Sequence, residues 1–300
     1  MTQLSRRRFL TISAACAALP TGALAAPVAR WRGTAMGAGA SLRLEGLNEA
    51  QAAPIIAAVE AELERLELIF SLYRPASQLS RLNRDGRLND PAPELLDVLS
   101  LCASLHAATG GAFDPSVQPL WLALARGDTA DEVARAKAAV GWHGVRVVTG
   151  AVVLSQPGLS GLTLNGIAQG AVTDRISGLL RSHGLTDVLV DMGEIAALGG
   201  HADGSDWRVG LAGPDGTMRQ RITLRDRAVA TSAPAATVLA EAQGHILDPR
   251  GGNALHRAVS VSAPSAAVAD GLSTALCLVP KNRIGSVLSR FPRSKLEMLI

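Results

Sequence analysis

Aromatic side chains are scarce, 3% of 300 residues, and Tyr73 is the single tyrosine. So few flat side chains leave little on which successive bases could stack, which argues against a single-stranded nucleic-acid surface. Cysteine is scarcer still. Three residues, Cys16, Cys102 and Cys277, exclude a small disulfide scaffold. A basic excess is absent too, once the first 25 residues are set aside. Their three arginines, taken from 29 Lys and Arg, leave 26 against 26 Asp and Glu, so no basic face for nucleic acid is expected. Repeats, charge blocks and low-complexity linkers are also missing after residue 25, and the rest reads as continuous globular structure.

What is present begins with Ser5-Arg6-Arg7-Arg8-Phe9-Leu10, an apolar stretch from Ile12 to Leu19, and a small-residue ending at Ala23-Leu24-Ala25. Basic head, short apolar middle and Ala-x-Ala end are the three parts of a secretory signal. The paired arginines before Phe-Leu match a twin-arginine address, which implies export to the periplasm. The apolar stretch falls well short of the roughly 20 residues of a membrane span, so no stable span is expected. The expected organisation is therefore a signal over residues 1–25 and one domain over 26–300. Cys102 and Cys277 both sit in apolar helical patterns. An oxidising compartment permits a bridge between them, and two buried free thiols fit the pattern equally well.

Ile55, Ile56, Val59, Leu63, Leu66, Ile69 and Phe70 recur at three- and four-residue spacing and predict a long amphipathic helix. A second helix is expected from Pro93 to Ala108, stopped by Gly110-Gly111. Val145 to Ser155 reads as two strands about a tight turn at Gly150. A helix over Ile167 to His183 and a strand over Asp187 to Met192 follow. Short strands are expected at 207–211, 221–224, 228–231 and 258–262. Helices at 266–278 and 282–290 and a last strand at 296–300 complete the pattern. Strands and helices without regular alternation favour α+β over a doubly wound sheet.

Four groups could carry chemistry. Gly33-Thr-Ala-Met36-Gly37-Ala-Gly39 reads as a glycine-rich ligand loop, without the preceding strand that a dinucleotide fingerprint needs. Asp114-Pro115 fits a helix cap with proline at the first position. His245, Asp248 and Arg250 surround a forced turn at Pro249; the set suits proton transfer and phosphate contact, and equally a polar surface turn. Asp270 and Thr274 lie one helical turn apart in an otherwise apolar helix, so their oxygens face the same way, as Mg²⁺ would require.

Taken in order, these segments resemble the ApbE-type family of FAD:protein FMN transferases. The resemblance runs from about Gly33 to the C-terminus. It is carried by Thr34 to Gly37, Ser77 to Asn83, Phe113 to Ser116, Gly166 to Gly170 with Asp174, Asp191 to Ile195, Thr231-Ser232, His245 to Arg250 and Asp270 to Thr274. The Asp191 to Ile195 and Gly244 to Pro249 wording is most similar to the exported branch that accompanies nitrous-oxide reduction. The resemblance implies an α+β fold with mixed and antiparallel sheets packed with helices, and an FAD groove between two lobes. It implies transfer of FMN from FAD to a Thr or Ser hydroxyl of a target protein, an exported segment of a redox membrane flavoprotein, with AMP released. It further implies Mg²⁺ held by the Ala168 carbonyl, Asp270 and Thr274, with His245 and Asp270 catalytic. Met36, Tyr73, Asp114, Gln169, Asp174, Glu194, Ser232, His245, Asp248 and Arg250 would hold FAD. Gln169 stands where the family often has Lys, Ala233 replaces a common Gly, and Gly251 a common Thr. Those departures keep open a flavin-binding carrier or assembly factor. A periplasmic solute-binding protein would suit the signal, but leaves the Asp270, Thr274 and His245 groups without a use.

Overall fold

The computed structural model describes residues 26–239 and 243–300, so the twin-arginine segment lies outside the described residues. The described chain opens as a β-hairpin, β1 (Val28–Ala35) and β2 (Ala38–Glu45). Met36 and Gly37 form its turn with φ of 50° and 81°. Two successive positive φ values match the twist of antiparallel strands. Gly33 to Gly39 is therefore a hairpin and not a dinucleotide fingerprint, since a second strand rather than a helix follows it; Gly33, Ala38 and Gly39 nonetheless line the cavity described below.

The hairpin leads a seven-stranded sheet that continues with β6 (Val188–Asp191), β7 (Ile195–Leu198), β10 (Arg227–Ser232), β11 (Val259–Ala263) and β12 (Lys295–Leu299), in the order β1-β2-β6-β7-β10-β11-β12. Every pairing in it is antiparallel, which corrects the expectation of mixed sheets. Alternation along β10 sends neighbouring residues to opposite faces. Ala228 joins the main core beneath the helices, while Val229 joins a second core with Ala197 and Met298.

Three helices pack on the first face: α1 (Glu49–Phe70), α6 (Ala168–Ser182) and α7 (Ala266–Leu276). In α1 the apolar stripe Val59, Leu63, Leu66, Ile69 and Phe70 is buried as its spacing predicts, and Asn48 and Gln51 close a reciprocal cap at its start. The opposite face is covered by a two-stranded ribbon, β8 (Trp207–Ala212) with β9 (Met218–Leu224). Trp207, Val209, Leu211 and Leu224 fill the space between.

A helical flank stands beside the sheet: α2 (Gln78–Asp85), α3 (Pro93–Thr109), α4 (Gln118–Arg126) and α5 (Ala130–Ala138). With it goes a small sheet of β3 (Arg87–Asn89), β5 (Ala151–Leu154) and β4 (Val145–Val148), and α8 (Lys281–Leu288) precedes the final strand. Helix α3 stops at Gly110 as its sequence predicts. Cys102 and Cys277 are both buried free thiols; burial pushes Cys277 up to about 12, so it is inert as a thiolate. Among the described residues no helix is long and apolar enough to cross a membrane.

Candidate active site

The first turns of helices α6 and α7 pack side by side, running in opposite directions, and this junction builds the polar floor of the site. A Cβ on Gly170 would collide with the Ala266 carbonyl and lie 2.7 Å from Ala267 Cα, so only glycine permits the approach. Asp174, one turn further along α6, accepts hydrogen bonds from Ser265 Oγ at 2.6 Å, Ala266 N at 2.7 Å and Ala267 N at 2.9 Å. It caps α7 from outside that helix. In return, Asp270 of α7 accepts from Gly170 N at 3.0 Å, where the N-terminus of α6 favours a carboxylate.

Above this floor opens a cavity of about 680 Å³, within the range of cofactor-sized sites. It is walled on one side by the sheet and the ribbon residues Val209 to Ala212, and on the other by Phe113, Asp114, Trp121 and the Thr163 to Gln169 segment. Asp191, Glu194, Ser232, His245, Asp270 and Thr274 all line it, from four different segments of the chain.

Carboxylates dominate the charged lining. Burial and the like charges of Asp270 and Asp191 push Glu194 well above the usual carboxylate range. Burial, opposed by the Gly170 hydrogen bond and reinforced by the charge of Asp174, raises Asp270 to about 7. Burial also raises Asp191, against the hydrogen bond from Gly193 N. Among the described lining residues Arg32 is the one Lys or Arg, and it is exposed. Gln169 brings no charge, and its side chain lies against Gly193. Three crowded carboxylates so short of positive charge suit a cation. The described residues hold no cluster of three His, Cys, Asp or Glu arranged for a metal. A cation here would therefore need hydroxyl and main-chain oxygens beside Asp270, the mixed oxygen set that hard divalent ions accept.

His245 supplies the titratable base. Its Nδ1 lies 2.9 Å from the Pro234 carbonyl, an oxygen that only accepts, so the hydrogen is on Nδ1 and Nε2 carries the lone pair; the Thr237 main chain also contacts the ring. Burial lowers its pKa below the ordinary value despite that bond, so the ring is neutral near pH 7.

Several sequence-chosen residues stand elsewhere. Asp248 and Arg250 do not line the cavity. Arg250 grips Asp248 at 2.8 and 2.7 Å and also donates to the Leu278 carbonyl, which makes the polar turn of the alternative reading. Asp174 is consumed as the α7 cap. Met36 sits half-buried at the hairpin turn, and Tyr73 is 66% exposed past the end of α1; neither lines the cavity. Ala168 is buried between the lining residues Gly166 and Gln169 without lining the cavity itself. Asp114 has both roles: it lines the cavity and caps the 3₁₀ turn Pro115–Val117 through Ser116 N at 2.8 Å. Asp191, Trp121 and Arg32 were missed as site residues. Asp191 was legible in the Asp191 to Ile195 wording; nothing local marks the other two.

These features define an α+β protein with an acidic, histidine-bearing cleft between a sheet and a helical flank. The sequence model of the ApbE family matches residues 36–300, and the chain belongs to that family. A relative from Treponema pallidum, named FAD:protein FMN transferase, is 31% identical over 301 residues, covering 85% of this chain and 80% of the relative. A protein of the same name from Klebsiella pneumoniae is 27% identical over 281 residues, with the same coverage of each. Among solved structures, flavin transferase ApbE from Vibrio cholerae superposes with a TM-score of 0.78 at 24% identity, covering 90% of this chain and 94% of that one. Apo flavinyl transferase ApbE from Pseudomonas stutzeri gives 0.74 at 25% identity, covering 86% and 87%.

Proposed function

We propose that this chain transfers FMN from FAD to a Thr or Ser hydroxyl of a target protein, leaving a phosphoester and releasing AMP. The observation that carries the reading is the convergence of His245, Asp270 and Thr274 on one cavity large enough for a dinucleotide. The names of the family relatives support it.

In this reaction the target hydroxyl attacks the phosphorus on the FMN side of the pyrophosphate. The bond from that phosphorus to the bridging oxygen breaks, and AMP departs with the oxygen. The hydroxyl proton passes to His245 Nε2, whose neutral state near pH 7 is maintained by burial and whose orientation is set by the Pro234 carbonyl. Asp270, Thr274 and the Ala168 carbonyl are the residues that would hold Mg²⁺. The ion would neutralise pyrophosphate charge and the charge growing on AMP. The ribbon and the apolar walls keep water from competing with the hydroxyl. Residues 1–25 carry the chain to the periplasm by the twin-arginine route. There the target is an exported segment of a redox membrane flavoprotein, of the kind that accompanies nitrous-oxide reduction.

The test incubates purified protein with FAD, Mg²⁺ and an exported flavoprotein segment, then weighs the segment. One added FMN phosphoester, absent with Asp270→Ala, is expected. Tight FAD binding with no added mass would instead favour a flavin carrier, the reading that neutral Gln169 motivates. Export is tested by fusing residues 1–25 to a reporter: Arg6→Lys with Arg7→Lys should keep it in the cytoplasm.

A further inference from the structure

From the cavity wall inward, Thr274, Ser232 and Ser273 form a chain of hydroxyls whose protons can be assigned one after another. Ser273, fully buried on α7 and outside the cavity lining, has its Oγ 3.0 Å from the Asp270 carbonyl. A carbonyl only accepts, so the one Ser273 proton is committed there. Ser232 Oγ, at the end of β10, lies 2.7 Å from Ser273 Oγ and must donate to it. Its proton spent, Ser232 can only accept from Thr274 Oγ1, 3.1 Å away. Thr274 thus has its proton turned toward the protein and its remaining lone pairs available to the cavity it lines. The opposite order would aim the Thr274 proton at any cation beside Asp270. Gly166 keeps that oxygen uncovered: a Cβ there would come within 3.0 Å of Thr274 Oγ1.

We infer that Ser273 and Ser232 form a positioning relay that fixes the Thr274 hydroxyl as a pure acceptor and so tunes the site for a hard divalent cation. The relay starts and ends on the turn of α7 that carries both side-chain oxygens, so the main-chain oxygen of Asp270 orders the hydroxyl that works beside its carboxylate. Groups that orient a ligand from behind typically change metal affinity about 10- to 100-fold. The inference rests on the proposed use of Asp270 and Thr274 as cation ligands, and the experiment separates the two.

Mn²⁺ is titrated into the purified protein with and without FAD, and free Mn²⁺ is counted by electron paramagnetic resonance. Wild type should bind, and Asp270→Ala should not. Ser273→Ala should bind about tenfold more weakly. Its transfer rate should return toward wild type at a correspondingly higher Mn²⁺ concentration, a recovery that a packing defect would not show. Thr274→Ser should bind like wild type and Thr274→Val should not. Unchanged affinity in Ser273→Ala, with binding lost in Asp270→Ala, overturns the relay and leaves the cation site standing. Undiminished binding in Asp270→Ala overturns the cation site and the relay with it. Should Ser273→Ala fail to fold, Ser232→Ala takes its place: a tenfold loss supports the relay and wild-type affinity overturns it.

Discussion

At the scale of single residues, His245 is set for proton removal by two opposing effects. Burial disfavours its charged form, and the Pro234 carbonyl holds Nδ1–H and returns part of the loss. Burial is the larger effect, so the ring protonates below its ordinary value of 6.5. With saturating Mg²⁺ to hold Asp270 ionised, transfer should therefore be flat near pH 7 and fall about tenfold per pH unit only below the lowered His245 pKa. His245→Gln should cut the rate about 10²- to 10⁴-fold and abolish that acidic limb, read from initial rates of target flavinylation between pH 5 and 8. A limb that survives the substitution would assign the base elsewhere. His245 was legible from its setting beside Asp248 and Arg250, but those two neighbours pair with each other outside the cavity lining, as the polar-turn alternative has it. Sequence proximity cannot tell an arginine aimed at phosphate from one folded back on its own aspartate.

At the scale of elements, the site depends on how α7 is held. Asp174 accepts three hydrogen bonds at the start of α7, although burial raises its pKa. Hydrogen bonds to a charged group are worth about 1.5–3 kcal/mol each when buried partners would be left unpaired. Asp174→Ala should cost roughly 2–3 kcal/mol, less than three such bonds in full because burial of the carboxylate offsets part of their worth, seen as a fall in the denaturation midpoint with urea. It should also weaken transfer, because Asp270 and Thr274 ride on the uncapped helix. Gly170→Ala should destabilise by a similar few kcal/mol, since backbone at Ala266 and Ala267 must move to admit a methyl group. A Gly170→Ala protein with wild-type stability would show that the first turns of α6 and α7 are not tightly packed. The long helices and the Val145 to Leu154 hairpin were legible because their apolar spacing is strong. The first strand was not: β1 exposes Arg30, Arg32, Gly33 and Thr34, and such an edge strand shows little alternation, whereas β2 does alternate, burying Ala40, Leu42 and Leu44. β7 was too short and alanine-rich to declare itself.

At the scale of the whole molecule, the carboxylates of the cavity should make stability depend on pH in a definite direction. Asp270 titrates at about 7 against an ordinary 3.8, and Asp191, Glu194 and Asp174 are also raised. Between those limits the folded chain keeps protons that the unfolded chain has lost. Their stabilisation is therefore complete below the ordinary carboxylate range and lost as pH rises through the raised values. His245, with its lowered pKa, acts the other way below pH 6.5, as one group against four. Metal-free protein should thus melt several degrees lower at pH 8 than at pH 5.5, with each group contributing at most about 1.4 kcal/mol per pH unit. Mg²⁺ should narrow the gap at pH 8 by offsetting the ionised carboxylates. Thermal scans at both pH values, with chelator and with Mg²⁺, provide the check; a higher midpoint for the metal-free protein at pH 8 would contradict the crowding of these groups.

Local sequence was sufficient for the α+β class, for most helices, and for the Asp270–Thr274 pair, because each follows from spacing along one segment. Tertiary structure alone turned Asp174 into a helix cap, folded Arg250 onto Asp248, and brought Asp191, Glu194 and His245 around one cavity with Asp270. Those outcomes depend on contacts between segments far apart in the chain, where packing geometry decides which polar groups are satisfied within the protein and which are left facing a ligand.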